Sequence, residues 1–250
     1  ENLIGSAYND ILKGDELENI IHGDSGADIL SGGDNDDSLY GDAGNDIIYG
    51  DDGNDKIFGG TGDDIIVGGS GNDILIGGDG DDAMHGNAGD DTLYAGAGND
   101  TLDGGIGDDS VIFSGNFADY NITFTPNLSL TVIDNNAVDG TDSLSNIENL
   151  IFADRAFKVY SADYHNSYGS VTIDLGITNL IHGIEYVTAH GGNAEGDSLI
   201  NIENLTGSAF NDVLSGNNFV NVINGGEGDD TLNGAGGNDE LQGGSGDDTI

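Results

Sequence analysis

The sequence predicts an all-β chain built as a parallel β-solenoid, interrupted by a β-rich segment and then resumed. Three observations predict it. From Gly23 to Ile112 the chain runs through ten consecutive nine-residue blocks without a slip: GDSGADILS, GGDNDDSLY, GDAGNDIIY, GDDGNDKIF, GGTGDDIIV, GGSGNDILI, GGDGDDAMH, GNAGDDTLY, AGAGNDTLD and GGIGDDSVI. Every block carries an aliphatic residue at its eighth position. Glycine supplies 45 of the 250 residues and proline one, and no stretch shows convincing helical periodicity. A short period kept in phase over many copies stacks one small unit on the next.

Two weaker blocks precede the ten in the same frame, GSAYNDILK from Gly5 and GDELENIIH from Gly14. Across all twelve, position 1 is Gly except at Ala95, and position 6 is Asp except at Asn19. Position 8 is Leu12, Ile21, Leu30, Leu39, Ile48, Ile57, Ile66, Leu75, Met84, Leu93, Leu102 and Val111. Gly at positions 1, 2 and 4 permits the positive φ and close carbonyl approach of a tight turn. The last three residues of a block, such as Ile47-Ile48-Tyr49, suffice for a short strand. Side chains alternate in a strand, so position 8 faces one way and positions 7 and 9 the other. The invariant aliphatic is the inward one. Two blocks then form one coil of 18 residues. Successive coils stack as parallel strands about 4.8 Å apart around a thin Leu/Ile/Val core.

This stacking places one carboxylate per turn above another. Like charges so close, in a partly dry turn, repel strongly. A hard cation between them reverses the sign. Calcium suits the place, because it accepts about 6–8 oxygens in flexible geometry from carboxylates and backbone carbonyls together, whereas magnesium prefers a stricter octahedron and keeps its waters.

The nonapeptide G-G-x-G-x-D-x-U-x, with U aliphatic, resembles the repeat of the RTX (repeats-in-toxin) family. The resemblance implies a right-handed parallel β-roll with calcium between turns on the same side. Carried onto this sequence, it pairs Asp28 with Asp46, Asp46 with Asp64, Asp64 with Asp82 and Asp82 with Asp100 on one side. On the other it pairs Asp37 with Asp55, Asp55 with Asp73, Asp73 with Asp91 and Asp91 with Asp109. Asn35 and Ala95 stand where the pattern has Gly, so the sites touching them are expected to be weaker. Tyr8 and Leu17 do the same in the first two blocks, and residues 1–22 are expected to be metal-free capping coils of a β-roll spanning 1–112.

Residues 113–206 read as a β-rich spacer. Tyr120–Thr125 and Leu128–Ile133 alternate at period two around Pro126-Asn127, which predicts a hairpin. Ile147–Phe152, Ala156–Tyr160, Ser170–Leu175 and Ile184–Thr188 are further strand candidates. The stretch FSGNFADYNITFT…DGTDSLSNIENLIFAD resembles the spacers that follow such arrays in bacterial RTX proteins. Nonapeptides resume at Gly207, so residues 207–250 read as the start of a second β-roll. There Asp230 pairs with Asp248, and Asp239 has no partner within the chain, which makes nine explicit pairs and about nine Ca2+ ions. ENLIGSAYNDIL from Glu1 recurs as ENLTGSAFNDVL from Glu203, and 23 of 48 residues are identical at this displacement of 202. The recurrence fits a window of a longer tandem protein, and fits equally a flank shared by any such array.

With 47 acidic residues against 4 Lys plus Arg, the formal charge is −43. Such a chain repels phosphate backbones, which excludes nucleic acid as a partner. Without cysteine there is neither a disulfide framework nor a thiolate site. No stretch approaches the roughly 18 consecutive apolar residues of a membrane span, so neither a transmembrane segment nor a signal peptide is expected within these residues. The histidines His22, His85, His165, His182 and His190 form no H-E-x-x-H motif, and His182-Gly-Ile-Glu185 is only a fragment of that spacing. The turns lack G-K-[ST], and their aspartates repel phosphate. The chain is therefore expected not to be an enzyme.

Positions 7 and 9 face outward and are free of the constraint on position 8. Two of their ladders are apolar: Ile47, Tyr49, Ile65 and Val67 on one sheet, Phe58, Ile74 and Ile76 on the other. Exposed patches of this kind mark a contact surface. Either the middle segment folds over one of them, or they join copies of the chain. The function expected from all this is a secreted extracellular protein, or one on the bacterial surface, that folds and assembles on binding calcium: a surface layer, filament or adhesin segment. The resemblance also implies unfolded export by a type I secretion channel. The alternative is the noncatalytic calcium-folding and secretion module of an exported enzyme or toxin.

Overall fold

The computed structural model describes all of the 250 residues except 1, 126–128, 137, 165, 177–178 and 182–183. The chain divides into two units, Glu1–Arg155 and Ala156–Ile250. Among the described residues the only helical turns are the 3-10 turns Phe117–Asp119 and Gly192–Ala194; all other elements are strands. No helix among them is long and apolar enough to cross a membrane.

In the first unit alternate blocks sort into two parallel sheets. One carries, in spatial order, Asn2–Ile4, Ile20–His22, Ser38–Ala43, Lys56–Thr61, Ile74–Asp79, Thr92–Ala97, Ser110–Ile112 and Asn149–Ile151. The other carries Ile11–Lys13, Ile29–Asp34, Ile47–Asp52, Ile65–Ser70, Ala83–Ala88, Thr101–Ile106 and Thr141–Ser145. Within the repeats each residue pairs with the one 18 positions on: Ile48 with Ile66, Ile57 with Leu75. This locked register superposes the position-8 side chains, and every one from Ile21 to Val111 is 0% exposed. Each such Leu or Ile contributes roughly 1.5–3 kcal/mol of burial, and together they are the core.

The strands are longer than the three residues expected. Most span six, such as Ile47–Asp52, running from position 7 of one block through position 3 of the next. The kink that allows this sits at position 2, where Asp51 (φ 77°) pairs with Gly69 (φ 128°) and keeps the ladder going. Positions 2 and 4 use the positive-φ freedom of glycine, whereas the position-1 glycines do not. Their reason is steric and belongs to the site.

Residues after Ile112 extend the stack. Tyr120–Thr125 and Ser129–Asp134 form the expected antiparallel hairpin, with Tyr120 opposite Asp134 and Thr125 opposite Ser129. Pro126 and Asn127 lie outside the described residues. The hairpin pairs antiparallel with Thr141–Ser145, which is parallel to Thr101–Ile106. It therefore prolongs one sheet edgewise instead of covering an outer face. Phe113, Phe117, Tyr120 and Phe152 close this end of the core, with ring centroids 5.0 to 5.2 Å apart.

In the second unit Ala156–Asp163 runs parallel to Ser198–Thr206, followed by Val222–Glu227 and Glu240–Ser245. Thr172–Asp174, Val213–Ser215 and Thr231–Asn233 form the facing parallel sheet. Ile184–Thr188 joins Ser198–Thr206 in antiparallel fashion. Ile173, Leu175, Leu199, Leu205, Leu214 and Ile223 are among the buried core.

Candidate metal centre

The position-6 aspartates stand in columns. Each backbone amide donates to Oδ1 of the aspartate one coil further on: Asp28 to Asp46 at 2.7 Å, Asp46 to Asp64, Asp64 to Asp82 and Asp82 to Asp100 at 2.8 Å. The opposite column repeats the bond from Asp37 to Asp55, Asp55 to Asp73, Asp73 to Asp91 and Asp91 to Asp109, at 2.7 to 2.8 Å. In the second unit Asp230 donates to Asp248 at 2.9 Å, and Asn221 to Asp239 at 3.0 Å. The pairing read from the sequence is thus the pairing of neighbours in space.

One oxygen of each carboxylate is used in this way and the other is not. Oδ2 of Asp28, Asp37, Asp46, Asp55, Asp64, Asp73, Asp82, Asp91, Asp100, Asp109 and Asp230 is buried without a hydrogen-bond partner. Leaving a buried polar oxygen unpaired costs about 1–3 kcal/mol, and more when it is charged. The position-1 glycine explains where these oxygens point. A Cβ on Gly59 would come closer than 3.0 Å to both Asp64 Oδ2 and the carbonyl oxygen of Gly77, one coil on. The same holds at Gly41, with Asp46 Oδ2 and Gly59 O, and at Gly50, with Asp55 Oδ2 and Gly68 O. Each turn therefore leaves a small cradle lined by a carboxylate oxygen and a backbone carbonyl. Among the described residues no three His, Asp or Glu side chains converge on one point. The oxygens that line a cradle are a carboxylate and a carbonyl, a hard-oxygen set that fits calcium.

The family description "RTX calcium-binding nonapeptide repeat (4 copies)" matches residues 1–30, 14–48, 22–57, 40–75, 49–84, 58–93, 76–111, 201–218 and 215–250, more than half of the chain. The chain belongs to the RTX calcium-binding repeat family. No curated protein matches it. Among solved structures it is similar to the extracellular lipase LipA from Serratia marcescens, at 18% identity and a TM-score of 0.23, over 82% of this chain and 33% of that one. The chain thus spans about a third of the length of that lipase.

Not every RTX block leaves its carboxylate open. In the first block Ser6 donates both its amide (2.6 Å) and its hydroxyl (2.8 Å) to Asp10 Oδ2. In the matching block of the second unit the Ser208 amide donates to Asp212 Oδ2 at 2.5 Å, and its hydroxyl lies 2.9 Å from Oδ1. Where an amide replaces the acid, Asn19 Nδ2 donates to the Leu17 carbonyl, and Asn221 Oδ1 accepts from the Asn217 amide at 2.9 Å. These four positions supply their own hydrogen-bond partners.

The repeat pattern alone missed two members of the columns. Asp100 donates to Asp142 Oδ1 at 3.1 Å, and Asp109 to Glu148 Oε2 at 2.9 Å, across 42 and 39 residues. A signal for them was present: Asp142 and Glu148 stand two residues before Leu144 and Leu150, as position 6 stands before position 8. A second, outer column at position 5 was missed as well. Its bonds run the opposite way, with the amide of Asn72 donating to Asn54 Oδ1 and that of Asp90 to Asn72 Oδ1.

In the metal-free chain, burial pushes the columnar carboxyls up. Asp55, Asp64, Asp91 and Asp100 rise to about 6, and Asp73 and Asp82 to about 7. Burial also raises Asp37, Asp46, Asp109 and Asp230. The amide donated from the preceding coil, by Asn19 to Asp37 and by an aspartate to each of the others, pulls each one back, and neighbouring negative charge pushes it further up. The RTX column is thus a line of carboxylates that resist ionising together until a cation is present.

Proposed function

We propose that the chain is the calcium-folding part of a secreted bacterial protein, with a structural role as a surface-layer, filament or adhesin segment. The observation that carries this proposal is the set of eleven buried Oδ2 atoms without a partner. They make the fold costly without a cation and favourable with one. Where calcium is scarce, the carboxylates repel and the chain stays open, in a state that can be threaded for export. Extracellular modules bind calcium at about 10⁻⁴–10⁻³ M, so the switch falls at the cell boundary. Each occupied site then adds RT ln(1 + [L]/Kd). Asp28, Asp37, Asp46, Asp55, Asp64, Asp73, Asp82, Asp91, Asp100 and Asp109 hold the ions of the first array, and Asp230, Asp239 and Asp248 those of the second. A carboxylate committed to calcium is a poor acid or base, which supports a noncatalytic role.

Assembly rests on the outer faces. Tyr49 is 39% and Ile65 44% exposed, with Ile47 and Val67 half-buried beside them, while Phe58, Ile74 and Ile76 are half-buried on the opposite sheet. There His22, Tyr40 and Phe58 stack at 4.3 and 4.8 Å. These flat ladders support self-association of folded copies. Circular dichroism at pH 8 with calcium and with chelator tests the folding switch, and a spectrum equally β-rich under chelator at that pH overturns it. Light scattering after calcium addition tests assembly, and a monodisperse monomer overturns that part.

A further inference from the structure

We propose that the two cation columns of the first unit do not end with the nonapeptides but run on into the following segment, where Asp142 and Glu148 close them with one further calcium site each. The proposal rests on the calcium function above. Its residues lie outside the nonapeptides and are brought to the columns by the fold.

Register places them. Leu102 pairs with Leu144, and Val111 with Leu150, so the buried ladder continues without a step. Asp142 and Glu148 then occupy the sixth position of coils that the repeat does not encode. Each accepts the amide of the last repeat aspartate in its column, the bond that every aspartate above it makes.

Unpaired oxygens point to a ligand at this level. Asp100 is 1% and Asp109 0% exposed, and Oδ2 of each is without a partner. On the Asp109 side the cradle is complete. A Cβ on Gly104 would lie closer than 3.0 Å to Asp109 Oδ2 and to the carbonyl oxygen of Asn146. Higher in the same column, Gly86 bears that relation to Asp91 Oδ2 and the Gly104 carbonyl. Asn146 thus does for the last coil what the position-1 glycine does for the others. Glutamate has a physical reason here. Only six residues separate Leu144 from Leu150, instead of nine, and the shortened turn calls for one more methylene to reach the column. On the Asp100 side Ala95 occupies position 1, so its methyl stands beside the cradle and that site is the weaker of the two.

The two ends of the first unit then differ in kind. Ser6 closes a column at its start by hydrogen bonds, and Glu148 closes one at its end through an ion. Calcium at Asp142 also pins the strand Thr141–Ser145, on which the hairpin Tyr120–Asp134 is paired.

The test is the number of calcium ions bound by the full chain at saturation, read by native mass spectrometry and equilibrium dialysis. Glu148→Gln and Asp142→Asn keep an acceptor for the amides of Asp109 and Asp100 but remove the charge. Each is expected to bind one ion fewer than the unaltered chain, and the double variant two fewer. Gly104→Ala leaves every carboxylate in place, fills the cradle and is expected to match Glu148→Gln, which keeps the test decisive should one variant fail to fold. Variants that retain the full count overturn the proposal while leaving the calcium function standing. An unaltered chain that binds no calcium overturns both.

Discussion

The amide of Asp64 donates to Oδ1 of Asp82 at 2.8 Å, while Oδ2 of Asp82 is buried and meets no donor. One oxygen of the side chain serves the backbone of the preceding coil and the other is left for a cation. Asp82→Asn separates the two roles, since the amide oxygen can keep the first. In chelator the variant is expected to be more stable than the unaltered chain, because a negative charge leaves the column. In calcium it is expected to be less stable by the contribution of each lost ion, about 2.7 kcal/mol at a hundredfold excess over Kd. Thermal melts in both conditions check the reversal of sign.

Acidity is expected to substitute in part for calcium. The columnar carboxyls rise from an ordinary value of 3.8 to about 6 at Asp55 and about 7 at Asp73 in the metal-free fold. The folded chain therefore binds more protons than the unfolded one between about pH 4 and 7, and its stability falls as pH rises through that window. In chelator the β signal should be stronger at pH 5 than at pH 8. Calcium uptake near pH 7 should release protons, and calcium affinity should drop as pH falls toward 6. Calorimetry in buffers of different ionisation enthalpy reads the proton release. A chelated chain that gains structure with rising pH contradicts the assignment.

Glycine at position 1 is expected to control the affinity of single sites. Gly59→Ala forces a methyl against Asp64 Oδ2 and the Gly77 carbonyl and should remove that site. Ala95→Gly opens the cradle beside Asp100 and should tighten one. A calcium titration followed by circular dichroism should move to higher concentration for the first and to lower for the second.

The serine caps should matter for stability and not for ion count. Ser208 is 3% exposed, and its hydroxyl lies against both oxygens of Asp212. Ser208→Ala deletes a hydrogen bond to a charged group, a loss of about 1.5–3 kcal/mol. Its calcium stoichiometry should equal that of the unaltered chain, whereas a change in the number of ions would assign Asp212 to the metal columns.

Ile65→Lys places a charge on the outer ladder at a side chain that is already 44% exposed. Melting in calcium should change by less than about 0.5 kcal/mol, as for other surface substitutions. Calcium-dependent light scattering should fall if this face joins copies, and undiminished scattering removes the face from the assembly proposal.

The nine-residue period was sufficient to name the partners Asp64 and Asp82 because stacking at a register of 18 residues turns sequence spacing into spatial adjacency. The inward face followed from position 8 for the same reason. Asp142 and Glu148 escaped that logic, since the hairpin inserted after Ile112 breaks the spacing while the sheet restores the register. Nor did the pattern separate the two uses of glycine, positive φ at positions 2 and 4 and empty space at position 1. Local chemistry along the chain decides which residues repeat. Which oxygen of an aspartate finds a donor depends on what the next coil brings to it, and that neighbour is set by packing: Asp64 is met by the coil of Asp82, but Asp109 by a glutamate 39 residues away.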